Sequence, residues 1–135
     1  MDVALEFFDG QSLSFTCKNV GLEGVLAQSD FISLHVPGGD LIGAAEIAKM
    51  KDGVFLLNAA RGGVINEEAL LDALESGKVA GAGLDVFKNE PTPAVKVLMN
   101  GNVSLTPHIG AATGEAQDRI GTELASHIDA LAASL

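Results

Sequence analysis

A chain of 135 residues, 47% apolar and 19% charged, can bury the core of one domain and is not composed like a disordered segment. Its formal net charge of -10 argues against nucleic acid or an anionic membrane surface as the main partner, because phosphates would be repelled; a small anion held by a local cluster of donors is still allowed. No basic stretch leads into an apolar run at the start, and no apolar run approaches the roughly 20 residues of a membrane helix, so neither a signal peptide nor a membrane span is expected.

In chain order, "VALEFFDGQSLSFTC" (3–17) holds two β-rich pieces around Asp9-Gly10 and predicts a hairpin within an atypical N-terminal segment, 1–20. Cys17, the only cysteine, reads as a packed apolar residue. Alone it forms no intrachain disulfide and no thiolate metal cluster, and a reducing, cytoplasmic setting follows. "LEGVLAQS" (22–29) is a short helix. From about Asp30 the pattern alternates regularly. "FISLHVP" (31–37) is the nearly continuous apolar run of a strand buried on both faces. "AAEIAKMK" (44–51) is helical and closes at Asp52-Gly53. "VFLLNAA" (54–60) is a second buried strand. "NEEALLDALESG" (66–77) is a helix capped by Asn66, with Glu67 and Glu68 in its first turn and Gly77 at its stop. "VAGAGLDVF" (79–87) is a third strand, "TPAVKVLMN" (92–100) a short helix or turn, and "NVSLTPH" (102–108) a fourth strand. From Thr113 the residues Ala116, Ile120, Leu124, Ile128 and Leu131 share one face, the stripe of a docked helix or of an association surface.

This alternation predicts an α/β fold, a parallel sheet with helices on both faces, in a single domain spanning 1–135. Ligands of such sheets sit beyond the carboxyl ends of the strands. The residues that follow the four strands are His35, Val36 and Pro37; Arg61; Lys88, Asn89 and Glu90; and His108. If the last three strands are neighbours, Arg61, Glu90 and His108 meet on one rim. Arginine can grip a carboxylate with two parallel hydrogen bonds, histidine can exchange a proton near neutral pH, and a carboxylate beside it orients the ring. Taken singly, Arg61 reads more often as a surface ion pair, Glu90 as a solvated loop residue and His108 as an exposed or structural histidine; their convergence favours chemistry. His127 reads as a surface residue. Glu67, Glu68, Asp72 and Glu75 read as a solvated helix face, so no metal is expected.

"NAARGGVINEEALLDALESGKVAGAGLDVFKNEP" and "SLTPHIGAAT" together resemble the D-isomer-specific 2-hydroxyacid dehydrogenases. "KNEPTP" and "PHIGAATGEAQDR" point within them to the D-3-phosphoglycerate dehydrogenases. The resemblance runs from about Leu22 to the end. It implies a partial Rossmann fold, NAD as cofactor, and hydride transfer at C2 of a D-2-hydroxy acid. The implied substrate is 3-phosphoglycerate, at the head of serine biosynthesis. It implies that Arg61 binds the substrate carboxylate, that Glu90 pairs with His108, and that His108 exchanges a proton with the substrate oxygen. It further implies that Asp85 holds the nicotinamide carboxamide and that His35, Val36 and Pro37 border the adenosine half. Backbone at Ala59, Ala60 and Gly110 would line the nicotinamide. Glu90 separates this pattern from formate dehydrogenases of similar fold, which carry glutamine there. Transcriptional corepressor relatives keep the triad, so the triad does not by itself imply turnover.

The family's glycine-rich turn, G-x-G-x-x-G, does not occur. "GAG" at Gly81–Gly83 lies inside a strand and leads to Asp85, not into a helix; "PGGD" and "RGG" have the wrong spacing. The chain therefore reads as the second half of an NAD-binding domain, truncated ahead of "FISL". Weak NAD binding and little turnover are expected of it alone. The alternative is a non-catalytic half-domain that self-associates as a homodimer. A third idea is binding of adenosine alone along His35 to Pro37. The edge left bare at "FISL" is expected to pair with the N-terminal hairpin or with a second copy.

Overall fold

A computed structural model describes residues 2–6 and 10–134. It is an α/β protein with two sheets. The first is a hairpin of β1 (Asp2–Glu6) and β2 (Ser12–Thr16), antiparallel, running in register from Asp2 opposite Thr16 to Glu6 opposite Ser12. Asp9, half of the expected turn, lies outside the described residues; Gly10 follows it with φ 82°. The second sheet has four parallel strands in the order β3 (Phe31–Leu34), β4 (Val54–Asn58), β5 (Val79–Leu84), β6 (Val103–Leu105). Helices α1 (Gly21–Gln28), α2 (Ala44–Lys49), α3 (Glu67–Glu75) and α4 (Val95–Leu98) flank it, and α5 (Gly114–Ala133) ends the chain.

Local chemistry sets the helix boundaries. The Asn66 side chain accepts the Ala69 N–H at 3.0 Å, and Gly77 leaves α3 at φ 76°. Glu46 reaches back to the Gly43 N–H at 3.0 Å to open α2. Thr113 caps α5 through the Ala116 N–H.

Parallel register places Ile32 beside Leu56 and Leu56 beside Ala82, and Leu34 beside Asn58 and Asn58 beside Leu84. This face carries the core. Leu26 of α1, Ile47 of α2, Leu70 and Leu74 of α3, and Val97 of α4 pack with it in one cluster. Burying each such aliphatic side chain contributes roughly 1.5–3 kcal/mol.

Four expectations change here. The sheet is flanked by helices, but burial alternates along β3 and β4, so the described residues cover only one face of these strands. Phe31, Phe55 and Leu57 point the other way and are exposed, Phe31 to 68%. Apolar residues on both faces reveal what a strand would bury, not whether a cover exists. The hairpin forms, yet it is a sheet of its own and is not hydrogen-bonded to β3. Its strands satisfy each other locally, while joining β3 would require a second ladder across the intervening α1. Helix α5 is not docked: it buries no residue, and Ile120, Leu124, Ile128 and Leu131 are all more than half exposed. Cys17 follows β2, whose residues are all exposed, and is exposed with them.

Candidate active site

Parallel strands end on the same side, so the loops after β3, β4, β5 and β6 share one rim. The opposite rim is charged but self-paired: Lys51 with Asp30 at 2.8 Å and Lys78 with Asp52 at 2.7 Å. Such exposed pairs contribute little. Among the described residues Arg61, on the carboxyl rim, makes no ion pair.

Glu90 and His108 meet directly. His108 Nδ1 lies 2.8 Å from Glu90 Oε2, although the residues come from different loops. The other carboxylate oxygen accepts the Phe87 N–H at 2.8 Å, so both ends of the carboxylate are held. The His108 bond first and the Phe87 bond second lower the Glu90 carboxyl below its usual range. As an anion, Glu90 accepts from Nδ1–H and thereby fixes the tautomer. Nε2 then has no protein partner among the described residues. The Glu90–Pro91 peptide bond is cis. A recess of about 450 Å³ beside the pair is walled by Phe87, Pro93, Leu98, Leu105 and Pro107. An apolar wall of this kind reduces screening of the pair by water.

Arg61 is brought to the same rim by two features of its loop. Asn58, 2% exposed at the end of β4, accepts the Ala60 N–H through Oδ1 and donates to the Arg61 carbonyl through Nδ2, both at 3.1 Å. Gly62 then passes so close to the next loop that a Cβ there would lie 1.8 Å from the Phe87 carbonyl oxygen. Only glycine permits that approach, and it sets the Arg61 loop against the turn that carries Glu90. The guanidinium itself donates to the Ala60 carbonyl at 2.7 Å and contacts neither Glu90 nor His108 through a hydrogen bond. It is an exposed cation on the same rim as the imidazole and the carboxylate.

Asp85 is buried at the end of β5. Its Oδ1 accepts from Thr106 Oγ1 at 2.6 Å and from the Ile109 N–H at 2.9 Å; its Oδ2 accepts from the Gly110 N–H at 2.9 Å. Burial pushes its carboxyl up, and these three bonds with the neighbouring His108 charge outweigh burial and hold it below the usual aspartate range. His35 is exposed after β3 and lies within 2.8 Å of Ser33 Oγ through Nε2. Val36 packs against the core and Pro37 is exposed. These three stand two strands away from β5 and do not join the triad. Ala59 is exposed and Ala60 buried.

Sequence reasoning missed three supporting residues. Asn58 was visible only as the polar end of an apolar run. Thr106 gave no signal. Glu67, read as part of a solvated face, is half-buried and accepts the Lys88 N–H at 2.7 Å, tying α3 to the Glu90 turn. Among the described residues no group of three or more histidine, cysteine or acidic side chains could hold a metal ion. No helix among them is long and apolar enough to cross a membrane.

Comparison with known proteins gives the family. Residues 9–110 match the family described as D-isomer specific 2-hydroxyacid dehydrogenase, NAD binding domain. The chain is 53% identical over 116 residues to hydroxypyruvate reductase of Thermotoga maritima, covering 81% of this chain and 38% of that protein. It is 46% identical over 123 residues to D-3-phosphoglycerate dehydrogenase of Archaeoglobus fulgidus, covering 87% and 23%. D-lactate dehydrogenase from Aquifex aeolicus, solved in complex with NAD and lactic acid, superposes with a TM-score of 0.67 at 36% identity, over 85% of this chain and 40% of that one. The chain thus spans well under half the length of the relatives it matches. By a match that covers most of its length, it belongs to the D-isomer specific 2-hydroxyacid dehydrogenases, within their NAD-binding domain.

Proposed function

We propose that this chain supplies the catalytic half of an NAD-dependent oxidoreductase acting on a D-2-hydroxy acid. The observation that carries the reading is the His108–Glu90 pair at 2.8 Å on the same rim as an unpaired Arg61. Arg61 binds the substrate carboxylate through two parallel hydrogen bonds. His108, oriented through Nδ1, gives its Nε2 proton to the substrate's C2 oxygen in reduction and takes it back in oxidation. Glu90 stabilises the imidazolium while that proton is held.

The rim fits one end of NAD. Asp85, with about four acceptor sites and three bonds, would keep one for the carboxamide, Ala59 and Ala60 would line the nicotinamide, Gly110 lies against Asp85, and His35 to Pro37 would border the adenosine end. No G-x-G-x-x-G turn offers the pyrophosphate a cradle of backbone amides, so weak binding is expected of the chain alone. NAD, when bound, would supply the hydride chemistry at C2 of the 2-hydroxy acid, while these residues bind, orient and protonate the substrate. 3-Phosphoglycerate is the first substrate to test, on the strength of "KNEPTP" and "PHIGAATGEAQDR"; hydroxypyruvate and lactate follow from the names of the relatives.

A second reading has its own support. The uncovered sheet face and the stripe of α5 favour a unit of residues 1–135 that associates with a second copy and keeps the site without turnover. Calorimetric titration with NAD, with reduction of NAD followed at 340 nm, separates the two. Saturable NAD binding, with a substrate-dependent turnover that is lost in Arg61→Ala and His108→Ala, carries the first reading. Absence of both, in a folded chain, carries the second. Titration with AMP tests the adenosine end by itself.

A further inference from the structure

His108 is the only non-glycine residue among those described with a positive φ, 57°. L side chains disfavour that region, so something must hold the backbone there. Regular structure does not: β6 ends at Leu105 and α5 begins at Gly114. Instead, three donors that bracket His108 converge on a single carboxylate. The Thr106 hydroxyl, two residues before it, and the Ile109 N–H, one after, reach Asp85 Oδ1 at 2.6 and 2.9 Å; the Gly110 N–H reaches Oδ2 at 2.9 Å.

The clamp is itself anchored. The Asp85 N–H donates to the Asn58 carbonyl and the Thr106 N–H to the Leu84 carbonyl, each at 3.0 Å, so both ends continue the sheet's ladder. Spacing is tight as well. A Cβ on Gly110 would lie 3.0 Å from Asp85 Oδ2, so glycine allows the close approach. Thr106 is the only side-chain donor of the three; the others are backbone.

We propose that Asp85 and Thr106 are positioning residues for His108: they clamp both flanks of its loop, set its left-handed backbone, and so bring Nδ1 to Glu90. This rests on the reading of His108 as the proton-transferring group, but the clamp can be tested without cofactor or substrate. Asp85 therefore serves the loop with both oxygens before it meets any ligand.

The test follows the Glu90 carboxyl by carbon-13 NMR through a pH titration, with amide exchange at Ile109 and Gly110, in wild type, Thr106→Val and Thr106→Ser. In Thr106→Val the Glu90 midpoint rises toward the ordinary glutamate value, because the His108 bond that lowers it is loosened. The two amides exchange about tenfold faster. Thr106→Ser, which keeps the hydroxyl, restores both readings. Thr106→Ala, which removes the hydroxyl without bulk, gives the same reading if the valine variant does not fold. A Glu90 midpoint unchanged in a folded Thr106→Val or Thr106→Ala chain overturns the proposal. A clamp that behaves as described in a chain that never reduces NAD leaves this inference standing and defeats only the proposed function.

Discussion

Asn58 buries a polar side chain at the end of an otherwise apolar strand, and its two hydrogen bonds explain why it is tolerated there. Asn58→Leu keeps the number and branching of heavy atoms and removes both hydrogen-bonding groups, leaving the buried Ala60 N–H unpaired. Urea unfolding should show a loss of about 1–3 kcal/mol, the cost of orphaning a buried donor. Asp85 makes a second prediction at this scale, about pH. Its folded carboxyl lies below the usual aspartate value of 3.8. The charged form is thus favoured in the folded chain, and its stabilisation is fully present above the unfolded value. It is lost as pH falls through the lower, folded value. The urea midpoint should therefore drop as pH falls below the usual aspartate value of 3.8. Asp85→Asn, already destabilised at neutral pH, should drop less over the same interval. Parallel curves for the two chains would remove Asp85 from the account of acid stability.

Elements align these residues through close approach at loops more than through their own interiors. Gly62→Ala places a methyl 1.8 Å from a backbone oxygen, which no rotamer can relieve. The Arg61 loop must retreat from the Glu90 turn, at a cost of about 3 kcal/mol, an overpacking value at the upper end because backbone has to move. Thermal melting reads the cost, and a wild-type melting temperature would mean that the two loops do not touch in solution. Elements were also the most legible level of the sequence. The β–α alternation from Asp30, the Asn66 cap and the Gly77 stop were readable because their signals are local: period, cap chemistry and turn residues. Arg61, Glu90 and His108 could be gathered on one rim because parallel strands end together. What stayed illegible joins distant residues. Thr106 with Asp85, Glu67 with the Lys88 amide, and Gly62 with Phe87 leave no mark in periodicity. The cover of a face is likewise invisible: "FISL" and "VFLLN" are apolar on both sides, yet only one side finds helices. The stripe of α5 predicted a partner surface without saying where it lies.

At the scale of the whole molecule, the described residues leave two apolar surfaces without cover. One is the sheet face where Phe31 stacks on Phe55 at 5.0 Å and where Phe55 and Leu57 lean over Gly81 and Gly83. The other is the stripe of α5. Parallel sheets are stable chiefly when both faces are covered, and contiguous exposed apolar surface favours association. The proposed homodimer covers both with the same chemistry, sheet face of one copy against helix stripe of the other. Charge opposes it: at -10, two copies repel. The two terms differ in how they respond to salt. Burial of apolar surface is not weakened by screening, whereas repulsion is, with a Debye length near 8 Å at 0.15 M. Sedimentation velocity should therefore show self-association that rises with protein concentration and rises again as salt goes from about 0.05 to 0.5 M. Leu124→Glu should return the chain to monomer, because it places a charge in the middle of the stripe. It should leave the melting of the covered face unchanged at low concentration, since α5 buries nothing there. A wild-type chain that stays monomeric at every salt and concentration would leave both surfaces to some other partner and end the homodimer reading.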